Sequence, residues 1–134
     1  MSKISAPDVI RGRNKGKYDE LKEGPLEELS YGSIFVYAAA MGYRRGTRIK
    51  NEGDASYITR TEYLGDKDSR QWWIINSIAI ADEDDITIIK NRGDALEIAI
   101  EYANSGITIL YDMIFDSETS SVEKIIENDL RQLH

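Results

Sequence analysis

The sequence predicts a mainly α fold, a compact single-domain helical bundle with at most one short β-hairpin or strand. Three observations carry that prediction. Five or six segments place apolar residues at helical spacing. One segment, Ser56 to Tyr63, has the β-branched and aromatic content of a strand. Finally, 134 residues, 41% of them hydrophobic and 31% charged, suffice for one core and leave little room for a second.

Residues 1–24 read as a flexible basic N-terminal arm, and 25–134 as the single helical domain. The arm carries Arg11, Arg13, Lys15, Lys17 and Lys22 around Gly12, Asn14 and Gly16, with a short helix near Tyr18–Lys22. Gly24-Pro25 punctuates its end. The first strong helix begins near Ser30 or Ser33, either of which can cap exposed N–H groups. Ile34, Tyr37, Ala38 and Met41 fall at i, i+3, i+4 and i+7, on one helical face. Gly42 offers a left-handed C-cap, and the chain then turns strongly basic.

A strand over part of Ser56–Tyr63 lacks an evident partner nearby. Arg70–Ala81 contains a strand-like stretch, Ser77 to Ala81, but its length favours a buried helix. Asp82-Glu83-Asp84-Asp85 then suits the acidic start of a short helix through Ile86, Ile89 and Lys90. Asp94 caps a helix from Ala95 to about Ala103, which Asn104-Ser105-Gly106 breaks. Ile107, Leu110, Tyr111 and Ile114 resume the spacing. Ser120 with Glu123 forms a capping box ahead of Val122, Ile126, Leu130 and Leu133.

Composition removes whole classes of chemistry. With no cysteine there are no disulfides, thiolate metal sites, iron–sulfur clusters or cysteine nucleophiles. The single histidine, His134, leaves no His-pair zinc site and no well-placed imidazole for a Ser-His-Asp triad. There is no P-loop sequence, and no apolar run approaches the roughly 20 residues that span a bilayer. The N-terminal residues lack the apolar centre of a signal peptide, so the expected location is cytoplasmic.

The net charge of −7 is unevenly spread. Met1–Arg60 holds 11 Lys/Arg against 8 Asp/Glu, while Thr61–His134 holds 6 against 16. A mildly basic front half suits nucleic acid or an acidic protein, but simple solvation of both faces is the favoured reading.

Tyr43, Arg44, Arg45, Arg48 and Lys50 form the candidate binding site, for DNA or for a protein partner. Arginine donates bidentately to phosphate, and Tyr43 adds a stacking or hydroxyl contact. The same charges also complement a helix C-terminus. Trp72-Trp73 suits either a base-stacking platform or the core, and the core reading expects at least one of the two inside. The Asp82–Asp85 run could hold a hard cation, but it lacks EF-hand spacing, and a helix-start role fits better. Glu97 and Glu101, one turn apart, could pair as carboxylates or simply face solvent. No catalytic residue, metal site or cofactor is expected.

Two segments together resemble a known family. Phe35-Val36-Tyr37-Ala38-Ala39-Ala40-Met41-Gly42-Tyr43-Arg44-Arg45-Gly46-Thr47-Arg48 resembles an early signature of the small DNA phosphorothioation-associated proteins, the fourth such associated family. Glu101-Tyr102-Ala103-Asn104-Ser105-Gly106-Ile107 resembles that family's later Tyr-Ala-Asn-Gly-Gly-type helix break, with Ser105 in place of a frequent glycine. The resemblance spans roughly Ser33 to Phe115 and brings no catalytic residues with it. It implies a non-catalytic accessory or adaptor role in prokaryotic systems that exchange a non-bridging DNA oxygen for sulfur and pair that modification with restriction and antiviral defence. The partners it implies are protein components of the modification and restriction machinery, with DNA phosphates and a homo-oligomer as further options and no membrane. The alternative is a small, sequence-independent DNA-binding module that uses Arg44–Lys50. A metal-dependent nuclease ranks last, since neither a PD-(D/E)xK nor an HNH arrangement is recognisable.

Overall fold

The computed structural model describes residues 7–53 and 55–116. Within them the protein is mainly α, with four helices and one two-stranded antiparallel sheet. The order is β1 (Val9–Gly12), α1 (Lys15–Lys22), α2 (Tyr31–Arg45), β2 (Ser56–Arg60), α3 (Arg70–Glu83) and α4 (Arg92–Asp116). Short 3₁₀ turns cover Thr61–Leu64 and Ile86–Lys90. The predicted capping box at Ser120 and Glu123, and the apolar stripe from Val122 to Leu133, lie outside the described residues.

Of the segment 1–24 expected to be a flexible arm, residues 9–22 are instead part of the domain. Val9–Gly12 pairs with β2 in the register Val9↔Arg60 and Ile10↔Thr59, and a bulge after Ile10 shifts Arg11 onto Tyr57. Ile10, Tyr18 and Leu21 are fully buried. Three large apolar anchors in so short a stretch hold it against the core more firmly than its basic residues favour solvent. This is also the strand partner that Ser56–Tyr63 lacked.

Ser30 caps α2 by accepting a bond of 3.0 Å from the Ser33 N–H. At the other end Gly46, not Gly42, is the left-handed cap, with φ 77°. Its N–H reaches the carbonyls of Gly42 and Tyr43 at 2.9 and 3.0 Å. Gly42 lies inside α2 for a different reason. A Cβ there would stand 1.9 Å from the Tyr102 carbonyl oxygen, and one on Gly106 would stand 1.7 Å from that of Ala38. Small residues thus let the α2 and α4 backbones nearly touch, running antiparallel at the centre of the bundle.

Arg70–Ala81 is helical, as its length predicted, and α3 extends it to Glu83. Ser69 caps α3 through the Trp72 N–H. Trp72 is fully buried while Trp73 is 63% exposed, so the two tryptophans leave α3 on different faces. The acidic run does not open a helix as a unit. Asp82 and Glu83 end α3, Asp84 takes the left-handed cap at φ 54°, and Asp85 caps the next 3₁₀ turn through the Thr87 N–H.

The expected break at Asn104-Ser105-Gly106 is absent, since α4 runs unbroken through it for 25 residues. Asn91 rather than Asp94 caps α4, by accepting from the Asp94 N–H at 3.1 Å. Among the described residues no helix is long and apolar enough to cross a membrane.

Candidate functional site

The basic loop that leaves α2 is pinned to the centre of α4. Asn104 does most of this, and its amide orientation follows from its neighbours. Its Oδ1 accepts from the Arg13 backbone N–H at 2.9 Å. Its Nδ2 donates to the Ile49 carbonyl at 2.7 Å and to Asn51 Oδ1 at 2.9 Å. Ser105 Oγ lies 2.7 Å from the Thr47 carbonyl and 3.0 Å from that of Tyr102. The Glu101 carbonyl accepts from the Ile49 N–H at 2.9 Å. One face of one helix therefore satisfies the Thr47 carbonyl, both backbone groups of Ile49 and the Arg13 N–H at the exit of β1.

Arg48 is drawn into the same clamp. Its Nε and Nη2 contact Glu101 Oε1 at 3.0 and 2.8 Å, and its Nη1 meets Asp82 Oδ2 at 2.6 Å. Glu83 stands 3.7 Å away. The guanidinium also lies over the Tyr102 ring, 5.7 Å from its centroid. Tyr102 in turn donates its hydroxyl to Asp82, and Tyr43 meets the Tyr102 ring edge-on at 5.4 Å. Burial works against the guanidinium charge, but the bond to Glu101 and the charges of Asp82 and Glu101 outweigh it and raise the Arg48 pKa. Burial, with the bond to Asp82, pushes the Tyr102 phenol up to about 12.

The five predicted binding residues are thus divided. Arg48 faces three carboxylates and Tyr43 packs against Tyr102. Arg45 and Lys50 are exposed, and Arg44 is half-buried. Of the other candidates, Glu101 is buried against Arg48 while Glu97 is exposed, so the two carboxylates do not converge. Sequence reasoning missed Asp82, Tyr102, Asn104 and Ser105 as clamp residues. A signal was present: Leu96, Ala99, Ile100, Ala103, Ile107, Leu110 and Ile114 keep helical spacing straight through Asn104-Ser105-Gly106. Polar residues inside an unbroken apolar helix need partners from elsewhere.

A second feature lies on the face of α2 toward α3. Between α2 and α3 runs an open groove of about 450 Å³, with Val36, Ile74 and Ile78 among its apolar lining and Tyr37, Tyr43 and Trp73 as its aromatic residues. Its volume falls in the range of ordinary binding clefts. Arg70 is the charged residue among those lining it.

The family model for DNA sulphur modification system-associated protein 4 matches residues 17–132. The chain belongs to that family. No curated protein and no solved structure matches it significantly. The match covers the α2 and α4 segments that carried the resemblance, and the structure shows why the two occur together. They are the two sides of one clamp, with Gly42 against Tyr102, Gly106 against Ala38, and Glu101 on Arg48.

Proposed function

We propose that this family member is a non-catalytic adaptor of a prokaryotic DNA sulphur modification-dependent restriction and defence system, working by docking a protein component of that machinery in the α2–α3 groove. The observation that carries the reading is Trp73, a tryptophan 63% exposed beside an apolar cleft. Large exposed aromatics at clefts are the side chains that most often anchor protein partners. The clamp supports the same reading from the other side. Arg48, the centre of the basic sequence, is surrounded by Asp82, Glu83 and Glu101, and a phosphate approaching it meets their charge.

The test uses the system's purified modification and restriction proteins, each mixed with the full chain and with Trp73→Ala. Adaptor function expects one of them to bind the parent and to lose affinity for the variant. Equal binding by both proteins would remove the groove from the reading. DNA duplexes, with and without phosphorothioate, are run alongside across a salt series. Steeply salt-dependent DNA binding that disappears when Arg44, Arg45 and Lys50 are replaced by alanine would install the DNA-binding module instead.

A further inference from the structure

The two-stranded sheet has one face in the core and one in solvent. Helices α1, α2 and α4 pack against it from within, where Ile10, Ile58 and Thr59 are buried. The bulge decides what the outer face carries. Regular alternation along β2 would send Tyr57 inward with Thr59. Ile58 is instead the extra residue between the pairs Ile10↔Thr59 and Arg11↔Tyr57, so Ile58 and Thr59 both turn inward and Tyr57 is re-aimed outward. Residues paired directly across an antiparallel sheet share a face, which sets Tyr57 beside Arg11 and Arg60 beside Val9. Arg11, Tyr57 and Arg60 are exposed. The 3₁₀ turn after β2 adds Tyr63, which is 60% exposed.

Arginine and tyrosine thus alternate on one small surface. Glu62 raises the Arg60 pKa, and Tyr63 and Tyr57 add to the effect, so both phenols lie near that guanidinium. Among the described residues no carboxylate pairs with Arg11. Arg60 donates from Nε and Nη2 to Glu62 Oε1 at 3.1 and 2.9 Å, but both side chains are exposed. A pair so open to water is held weakly and yields to a competing phosphate.

Phenol rings interleaved with guanidinium groups suit unpaired nucleic acid. Every base offers a face on which tyrosine can stack, and arginine takes the phosphate. In a duplex those base faces are already stacked on each other. Charge points the same way. A duplex carries a negative charge about every 1.7 Å of axis and a single strand one about every 3.4 Å. A chain of net charge −7 repels the denser polyanion more, and two arginines suit the sparser one. An acidic protein would satisfy the arginines and leave the tyrosines unused.

We infer that the outer face of the β1–β2 sheet binds a single DNA strand, with bases stacked on Tyr57 and Tyr63 and phosphates held by Arg11 and Arg60. That the strand is DNA rests on the reading above, whereas the stacking face does not. The surface is separate from the α2–α3 groove, so one chain can hold a protein and an unpaired strand together.

The test titrates the full chain against an end-labelled oligothymidylate of about 12 nucleotides, within the span such surfaces cover, and follows anisotropy. The parent is expected to bind with a log–log salt slope of about −1.4, from two phosphates at about −0.7 each. Tyr57→Thr and Tyr63→Ala should each weaken binding about tenfold at unchanged slope, while Tyr57→Phe and Tyr63→Phe retain it. Arg11→Gln and Arg60→Gln should each bring the slope to about −0.7. All four positions are exposed, so thermal melting should match the parent's. Arg44→Ala with Arg45→Ala should bind the strand like the parent.

No binding at low salt would overturn the inference, as would tyrosine variants that bind like the parent. Equal binding of an abasic strand of the same length would reduce the contact to charge and overturn the stacking face. Tighter binding of a duplex, or loss of binding in the Arg44 and Arg45 variant, would overturn it too. Polyglutamate competing as well as the strand would give the face to an acidic protein. Preference for oligouridylate would overturn the assignment to DNA. Strand binding with no protein partner would fail the adaptor reading alone, and a protein partner without strand binding would fail this inference alone.

Discussion

Toward α4, helix α2 presents Ala38 and Gly42, and the two backbones come so close that a single added carbon on Gly42 or Gly106 has no room. Toward α3 it presents Val36, Tyr37 and Tyr43, and a groove of about 450 Å³ stays open between them. The closed side is also where polar groups are matched in detail, by Asn104, Ser105, Arg48 and Asp82. The open side carries an exposed tryptophan. The difference separates two sides of one helix: the side toward α4 is packed backbone against backbone, and the side toward α3 leaves an open cleft.

The two adjacent tryptophans of α3 offer the sharpest test of that division. Trp72→Ala empties a fully buried site and should cost about 3–5 kcal/mol. That is a large part of the stability of a domain of this size. Trp73→Ala should stay within about 0.5 kcal/mol, since it removes an exposed ring. Urea denaturation of both variants measures the contrast, and similar midpoints would erase the distinction between the two sides.

The next effect concerns the glycines. Gly42→Ala and Gly106→Ala each gain helix propensity worth up to about 1 kcal/mol. Against this stands a Cβ placed under 2 Å from a backbone oxygen of the facing helix, an obstacle that no rotamer can relieve. Overpacking of this kind costs typically about 1–3 kcal/mol and sometimes more, so the steric penalty wins and both variants are expected to be destabilised. Gly16→Ala is the control. It lies in α1 with nothing near the added carbon, and should be neutral or slightly stabilising. Destabilisation of Gly16→Ala matching that of Gly106→Ala would mean that the close crossing is not the cause.

These residues also divide what is local in the sequence from what is not. The helical spacing of Ile34, Tyr37, Ala38 and Met41, and the cap offered by Ser30, are local properties, and α2 forms where they put it. The length of Arg70–Ala81 likewise decided between helix and strand. Local sequence does not tell Gly42, the expected cap, from Gly46, because either glycine tolerates a left-handed conformation. What separates them is Tyr102, sixty residues further along the chain. Asn104-Ser105-Gly106 has the composition of a helix end, and its role as a clamp depends on Arg13, Thr47, Ile49 and Asn51. The basic cluster was legible as charge, yet the carboxylates that occupy Arg48 come from two other helices. Ile10 lies in a stretch whose basic residues masked a strand too short to show alternation. In each case the missing information was the identity of a distant neighbour.

A smaller effect is expected from the ion pairs of the clamp. Glu101→Gln keeps the shape of the side chain but withdraws one of the two principal charges that hold Arg48. Glu101 is nearly buried, while the Arg48 side chain is 34% exposed and can recover water. The cost should therefore be about 1–2 kcal/mol, below that of breaking a fully buried pair. A double-mutant cycle of Glu101→Gln with Arg48→Met isolates the coupling. A coupling near zero would show that Arg48 is held by Asp82 alone, and that the closed side is less interlocked than its distances suggest.

The smallest effect at neutral pH, and the most specific, belongs to Tyr102. Burial first, and the hydrogen bond to Asp82 second, push its phenol up to about 12. Tyr31 is pushed up to about 12 in the same way, by burial and its bond to Asp19. An unfolded tyrosine ionises near 10, so between about pH 10 and 12 the unfolded chain gives up protons that the folded chain keeps. Stability from these two groups is thus complete below pH 10 and declines as pH rises toward 12. Asp82→Asn removes the negative charge that favours the neutral phenol, so Tyr102 should titrate lower in that variant. Tyr31, bonded to Asp19 on another part of the fold, should not move. Tyrosinate absorbance followed against pH in the parent, in Asp82→Asn and in Tyr102→Phe resolves the two groups. If Tyr102 keeps its value without the Asp82 charge, burial alone sets it, and the bond from Tyr102 to Asp82 contributes position but no proton affinity.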